Sequence, residues 1–79
     1  MDIGGFVGTL DAEQKRDFAN RTGTTVKYLI QLAAGHRRTG QKLAKRFVKE
    51  SRKMFPDDSS RWLTLAGIRP DIWGEDAAA

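Results

Sequence analysis

A chain of 79 residues with no cysteine and a single histidine, His36, has room for one hydrophobic core and lacks the ligands for a disulfide or structural-zinc staple. No apolar run approaches the roughly 18 to 20 residues of a membrane span, and the N-terminus lacks the basic-then-apolar order of a signal peptide; the expected setting is soluble and reducing, with the bacterial cytoplasm first. The formal net charge of +4 is laid out unevenly, as −1 over residues 1–10, zero over 11–24, +8 over 25–53 and −3 over 54–79. A basic centre suits a polyanion, because clustered Lys and Arg release counterions from nucleic acid, although a basic helix face is as readily a solvated one.

Strand signals are nearly absent, and apolar residues recur at helical spacing between Gly, Thr and Pro, so the expected fold is all-α with four to five short helices. Residues 2–8 offer Ile3, Phe6 and Val7 as a packing face, but Gly4, Gly5 and Gly8 predict a short, frayed helix. Asp11 is placed to cap a second helix running to Arg21, with Gln14 completing a capping box and Leu10, Ala12, Phe18 and Ala19 facing inward; Gly23 ends it. Thr25 caps a third helix that stops at Gly35. In the fourth, Leu43, Ala44, Phe47, Val48, Ser51, Met54 and Phe55 form one stripe, with Lys42, Lys45, Lys49, Arg52 and Lys53 elsewhere, until Pro56 closes it. The 57–60 turn leads into one or two more helical turns through Arg61, Trp62, Leu63 and Leu65 toward Gly67, and the chain then runs through residues 69–73 into a polar, Ala-rich end. One domain is expected over residues 1–73, with a disordered tail at 74–79.

The stretch over residues 19–35, ANRTGTTVKYLIQLAAG, has the parts of a helix-turn-helix. Ala19 allows close helix approach, Gly23 makes the turn, Thr25 caps the second helix, and Leu29 and Leu32 lock that helix across the first. Hydrophobicity alone allows two rotations of the second helix. One buries Tyr28, Leu29 and Leu32 and turns Val26, Lys27, Ile30, Gln31 and Ala34 outward; the other buries Val26, Leu29, Ile30 and Ala33.

Residues 10–39, LDAEQKRDFANRTGTTVKYLIQLAAGHRRT, resemble the phage Cro-like and YdaS-type regulators of the repressor-like helix-turn-helix superfamily, and RPDIW at 69–73 is similar to a C-terminal signature of that group. The chain departs from the group in its glycine-bearing first helix and in a longer, more aromatic segment over 52–67. The resemblance implies that the helix at 25–34 enters the major groove of double-stranded DNA, and it favours the first rotation. Thr25, Val26, Lys27, Ile30 and Gln31 are then the base-reading candidates, with Gln31 suited to adenine, Lys27 to guanine or a phosphate, and Val26 and Ile30 to thymine methyls. His36, Arg37, Arg38 and Thr39 in the following loop, with Lys42 and Lys45 at the start of the next helix, are the phosphate candidates, and Lys49, Arg52 and Lys53 are solubility charges.

The sequence carries no nucleophile–base pair, metal-ligand spacing, Gly-rich phosphate loop or carboxylate pair, and Asp57 with Asp58 fits helix capping. The chain is expected not to be an enzyme and to use no cofactor, metal or small-molecule substrate. The expected function is sequence-specific DNA binding as a transcriptional regulator, in the manner of a phage or prophage repressor and as a homodimer on DNA, with Trp62, Ile68, Ile72 and Trp73 as the source of dimer contacts. The alternative is a protein-interaction module of the same fold, an antitoxin or adaptor holding a protein through its C-terminal aromatic patch.

Overall fold

The computed structural model describes residues 2–73, and the expected disorder of 74–79 lies outside them. The described chain is all-helical. Helix α1 spans Ile3–Thr9, α2 Ala12–Thr22, α3 Val26–Ala33 and α4 Gln41–Met54; a 3-10 turn at Ser59–Arg61 precedes two one-turn helices, α5 at Leu65–Ile68 and α6 at Pro70–Trp73.

Each of the first three helices starts on a side-chain cap. Asp2 accepts from the Gly5 N–H, Thr25 accepts from the Tyr28 N–H, and Asp11 exchanges bonds with Gln14 in a full capping box. Two helices end on the same device. At the end of α2, Gly23 at φ 69° lets the Thr24 N–H reach back to the Ala19 carbonyl, and at the end of α3, Gly35 at φ 82° lets the His36 N–H reach the Gln31 carbonyl. These are Schellman turns, whose positive φ is open to glycine at no steric cost. They fix the angles at which the chain enters and leaves α3.

The core is built on phenylalanines. Phe6 of α1 meets Phe18 of α2 at 4.9 Å between ring centroids, Phe18 meets Phe47 of α4 at 5.1 Å, and Phe55 closes on the far side of Phe6 at 6.1 Å. Leu29 and Leu32 of α3, Leu10, Leu63 and Ile68 complete it. Helix α1 is therefore no loose appendage, since it packs along α3 and brings Gly4 close enough to the Ala33 carbonyl that an added Cβ would stand 3.4 Å from it. The glycines weaken the helix in isolation, while burial of Phe6 and Val7 holds it in place.

Several expectations are corrected. Ala12 is exposed rather than inward-facing. The stretch expected as one helix after Pro56 is broken by extended residues at 62–64, because Leu63 drops into the core and its N–H bonds to the Ser51 hydroxyl at 3.0 Å. Residues 70–73, where periodicity marks no element, form α6: Pro70 takes the first helical position, where its missing N–H matters least. Ile68 lies inside the core, 8% exposed, and so is not a surface residue for dimer contacts. Glu50 and Ser51 are buried polar residues of α4; Glu50 lies 3.6 Å from Arg21 and 3.7 Å from Lys53, and Arg46 donates to the Arg21 carbonyl, so charged groups fasten α4 to the end of α2. Among the described residues no helix is long and apolar enough to cross a membrane.

Candidate nucleic-acid interface

Helix α3 is rotated so that Leu29 is fully buried and Leu32 nearly so, while Ile30 stands 51% exposed, the one large hydrophobic side chain so placed among the described residues. A rotation that buries Ile30 is therefore ruled out. Lys27, Ile30 and Ala34 form the outward stripe, with Gln31 half-buried at its edge. Val26 departs from the expected outward position: it is half-buried and packs against the core, as does Tyr28. Thr25 is exposed, but its hydroxyl oxygen accepts the Tyr28 N–H at 3.0 Å, which leaves the O–H to donate elsewhere.

The loop after α3 is joined back to that helix. Arg37 Nε donates to Gln31 Oε1 at 2.6 Å, and the Arg37 guanidinium lies 5.7 Å from the Tyr28 ring centroid. A base-reading candidate and a phosphate candidate thus form one unit, with Tyr28 as a third member that sequence patterning assigned only to packing. Lys27, His36, Lys42 and Lys45 are exposed, and none of them enters an ion pair or side-chain hydrogen bond among the described residues.

Thr39 does not fit its expected role. It is 1% exposed, and its hydroxyl has no hydrogen-bond partner, so it cannot reach a phosphate without the loop opening. The carbonyl of Thr39 instead accepts from Arg69 Nη1 at 2.6 Å. Arg38 is 75% exposed and faces Asp71 at 3.5 Å. The carboxyl of Asp71 is held well below the ordinary aspartate range, at about 2, chiefly by its hydrogen bonds to Arg69 and least by the charge of Arg38.

Two further cations, Arg52 and Arg61, serve packing. Arg52 lies 5.2 Å from the Trp62 ring centroid, and Arg61 stacks 3.7 Å over Phe55 while donating to the Thr9 carbonyl. Arg52 was expected to be a plain solubility charge, and its contact with an aromatic ring depends on a turn that periodicity does not reveal. Sequence spacing likewise gave no sign that Arg69 and Asp71, two apart across a proline, would form a two-bond pair; an i, i+2 pair meets only when a turn brings it together.

The surface that results is a helix with Lys27, Ile30 and Ala34 turned outward and Gln31 at the edge, followed by a loop bearing exposed cations. Such a surface offers hydrogen-bonding groups and a methyl-sized apolar contact to a groove, and charge to its rims. No protein-family model, curated protein or solved structure matches the chain.

Proposed function

We propose that the chain is a sequence-specific regulator that binds double-stranded DNA, placing α3 in the major groove, in the manner of a phage or prophage Cro-like repressor in the cytoplasm of a bacterial host. Lys27, Ile30 and Gln31 read base edges, and Thr25 contributes a hydroxyl donor at the helix start. Arg37, Arg38, His36, Lys42 and Lys45 hold phosphates on either side. The observation that carries the reading is the pairing of two opposite features on one short helix: Leu29 and Leu32 anchor α3 in the core, while the opposite stripe exposes Ile30 beside Lys27 and Gln31. A singly exposed isoleucine is ordinary on a protein surface, and beside Lys27 and Gln31 it suits contact with a thymine methyl.

One helix of this length reads too few base pairs to be selective, so the regulator acts as a homodimer on a pseudo-palindrome with half-sites about one helical turn apart. A protein-interaction module using the C-terminal aromatics is the weaker reading. Trp62 Nε1 donates to the Phe55 carbonyl at 2.7 Å and Trp73 packs on the core, so these rings already serve the fold.

The test is binding to duplex DNA over a salt series. Three cations on phosphates, Arg37, Lys42 and Lys45, give a log–log slope of roughly −3 per protomer at about 0.9 per contact, and Arg38 adds less than a full ion because Asp71 already faces it. A slope near zero overturns the proposal. Sedimentation of the protein with a selected operator then gives two protomers per site; one protomer saturating a full operator removes the dimer.

A further inference from the structure

The guanidinium of Arg69 makes three bonds. Nε and Nη2 donate to the two carboxylate oxygens of Asp71 at 2.9 and 2.7 Å, and Nη1 donates to the Thr39 carbonyl at 2.6 Å. With its side chain only 19% exposed, Arg69 closes the C-terminal turn onto the loop that carries Arg37 and Arg38. Arg38 Nη1 lies 3.5 Å from Asp71 Oδ2, with its side chain 75% exposed. One carboxylate therefore faces two arginines of unlike standing: Arg69 is enclosed with every nitrogen engaged, and Arg38 is in solvent with one long contact.

We propose that Asp71 is an internal stand-in for phosphate, holding Arg38 in the free protein and yielding it to a DNA phosphate, while Arg69 keeps the loop in place throughout. This rests on the reading of the chain as a DNA-binding protein. An exposed ion pair is weak and screened by salt, whereas a phosphate offers oxygens matched to the arginine fork inside the strong field of the duplex. Arg69 has no such freedom, since its departure would leave the carbonyl of the buried Thr39 without its donor. Asp71 tolerates the exchange because Arg69 is the main group holding it ionised and Arg38 the least.

The exchange has a signature in counterions. When a phosphate takes Arg38, its own cation is released, but the freed Asp71 recruits one, so Arg38 adds little to the salt slope of the unaltered protein. With Asp71→Asn it adds nearly a full ion, and the asparagine oxygen still accepts from Arg69.

The experiment measures binding of a labelled random-sequence duplex across a salt series for the unaltered protein, Asp71→Asn, Arg38→Ala and the double variant. Asp71→Asn is expected to tighten binding about three- to fivefold at low salt and to steepen the slope by about 0.9, and both effects are expected to vanish with Arg38→Ala. An unchanged slope overturns the inference, as does equal tightening with and without Arg38, which would be a plain effect of net charge. If the unaltered protein binds no duplex, the proposed function fails and takes the inference with it; duplex binding with a flat response to Asp71→Asn removes the inference alone. Should Asp71→Asn fail to fold, side-chain NMR of the unaltered protein decides: on adding duplex, the Arg38 Nε–Hε signal shifts and that of Arg69 stays. An unmoved Arg38, or an Arg69 that moves with it, overturns the inference.

Discussion

At the scale of single residues, neighbours on α3 have opposite duties. Leu29→Ala removes a fully buried side chain and should cost about 2 to 5 kcal/mol in chemical denaturation. Ile30→Ala, one position on, should change stability by no more than about 0.5 kcal/mol, while altering the sequence preference found by selection from a random DNA library. As a base reader and a phosphate contact acting independently, Gln31 and Arg37 would fail separately, the first losing specificity and the second losing affinity for all DNA alike. The 2.6 Å bond between them changes that expectation: Arg37 orients the amide that Gln31 presents, so Arg37→Ala should weaken all binding and also blur the base preference attributed to Gln31. In a double-mutant cycle on the selected operator, the two substitutions together should cost less than the sum of each alone. Strict additivity would show that the bond is broken in the complex.

At the scale of elements, α4 shows how a polar residue on an apolar stripe directs the chain. Ser51 is fully buried, donates its hydroxyl to the Val48 carbonyl at 2.7 Å and accepts the Leu63 N–H at 3.0 Å. It belongs to the stripe by position and works as a bracket that seats the extended 62–64 segment between the 3-10 turn and α5. Ser51→Ala leaves the stripe intact but strips a buried N–H of its acceptor, and should cost about 1 to 3 kcal/mol. Hydrogen exchange at the Leu63 amide checks the mechanism. Protection there should fall by more than at Phe18, whose amide lies within α2.

At the scale of the molecule, the C-terminal turn gives the fold one acid-sensitive contribution. Folding lowers the Asp71 carboxyl from its ordinary value of 3.8 to about 2, so the native state binds this proton less readily than the unfolded chain. A group whose value falls on folding contributes stability above its unfolded value and loses it as the pH drops through its folded one. The Asp71 contribution should therefore be complete above about pH 4 and vanish toward pH 2. Melting temperatures of the unaltered protein and of Asp71→Asn should differ most at neutral pH and converge across that interval; a constant difference at every pH would exclude the linkage. The same turn braces the loop after α3 through Arg69, so loss of Asp71 should also speed amide exchange in residues 36–39.

Local rules sufficed for the helices and their ends, because caps and terminal glycines act over three to five residues. Asp11 with Gln14, Thr25, Gly23 and Gly35 all stand where those rules put them. Periodicity also identified the inward phenylalanines, since a ring that repeats with the helix has one way to leave water. It could not choose the rotation of α3, where Ile30 and Leu32 are alike in hydrophobicity; packing against α1 and α2 decided it. Nor could it foresee that Thr39 is buried, that Gln31 and Arg37 bond, or that Arg69 reaches a carbonyl 30 residues away. Those facts depend on where separate elements come to rest, and a polar side chain carries no periodic mark of the partner it will meet.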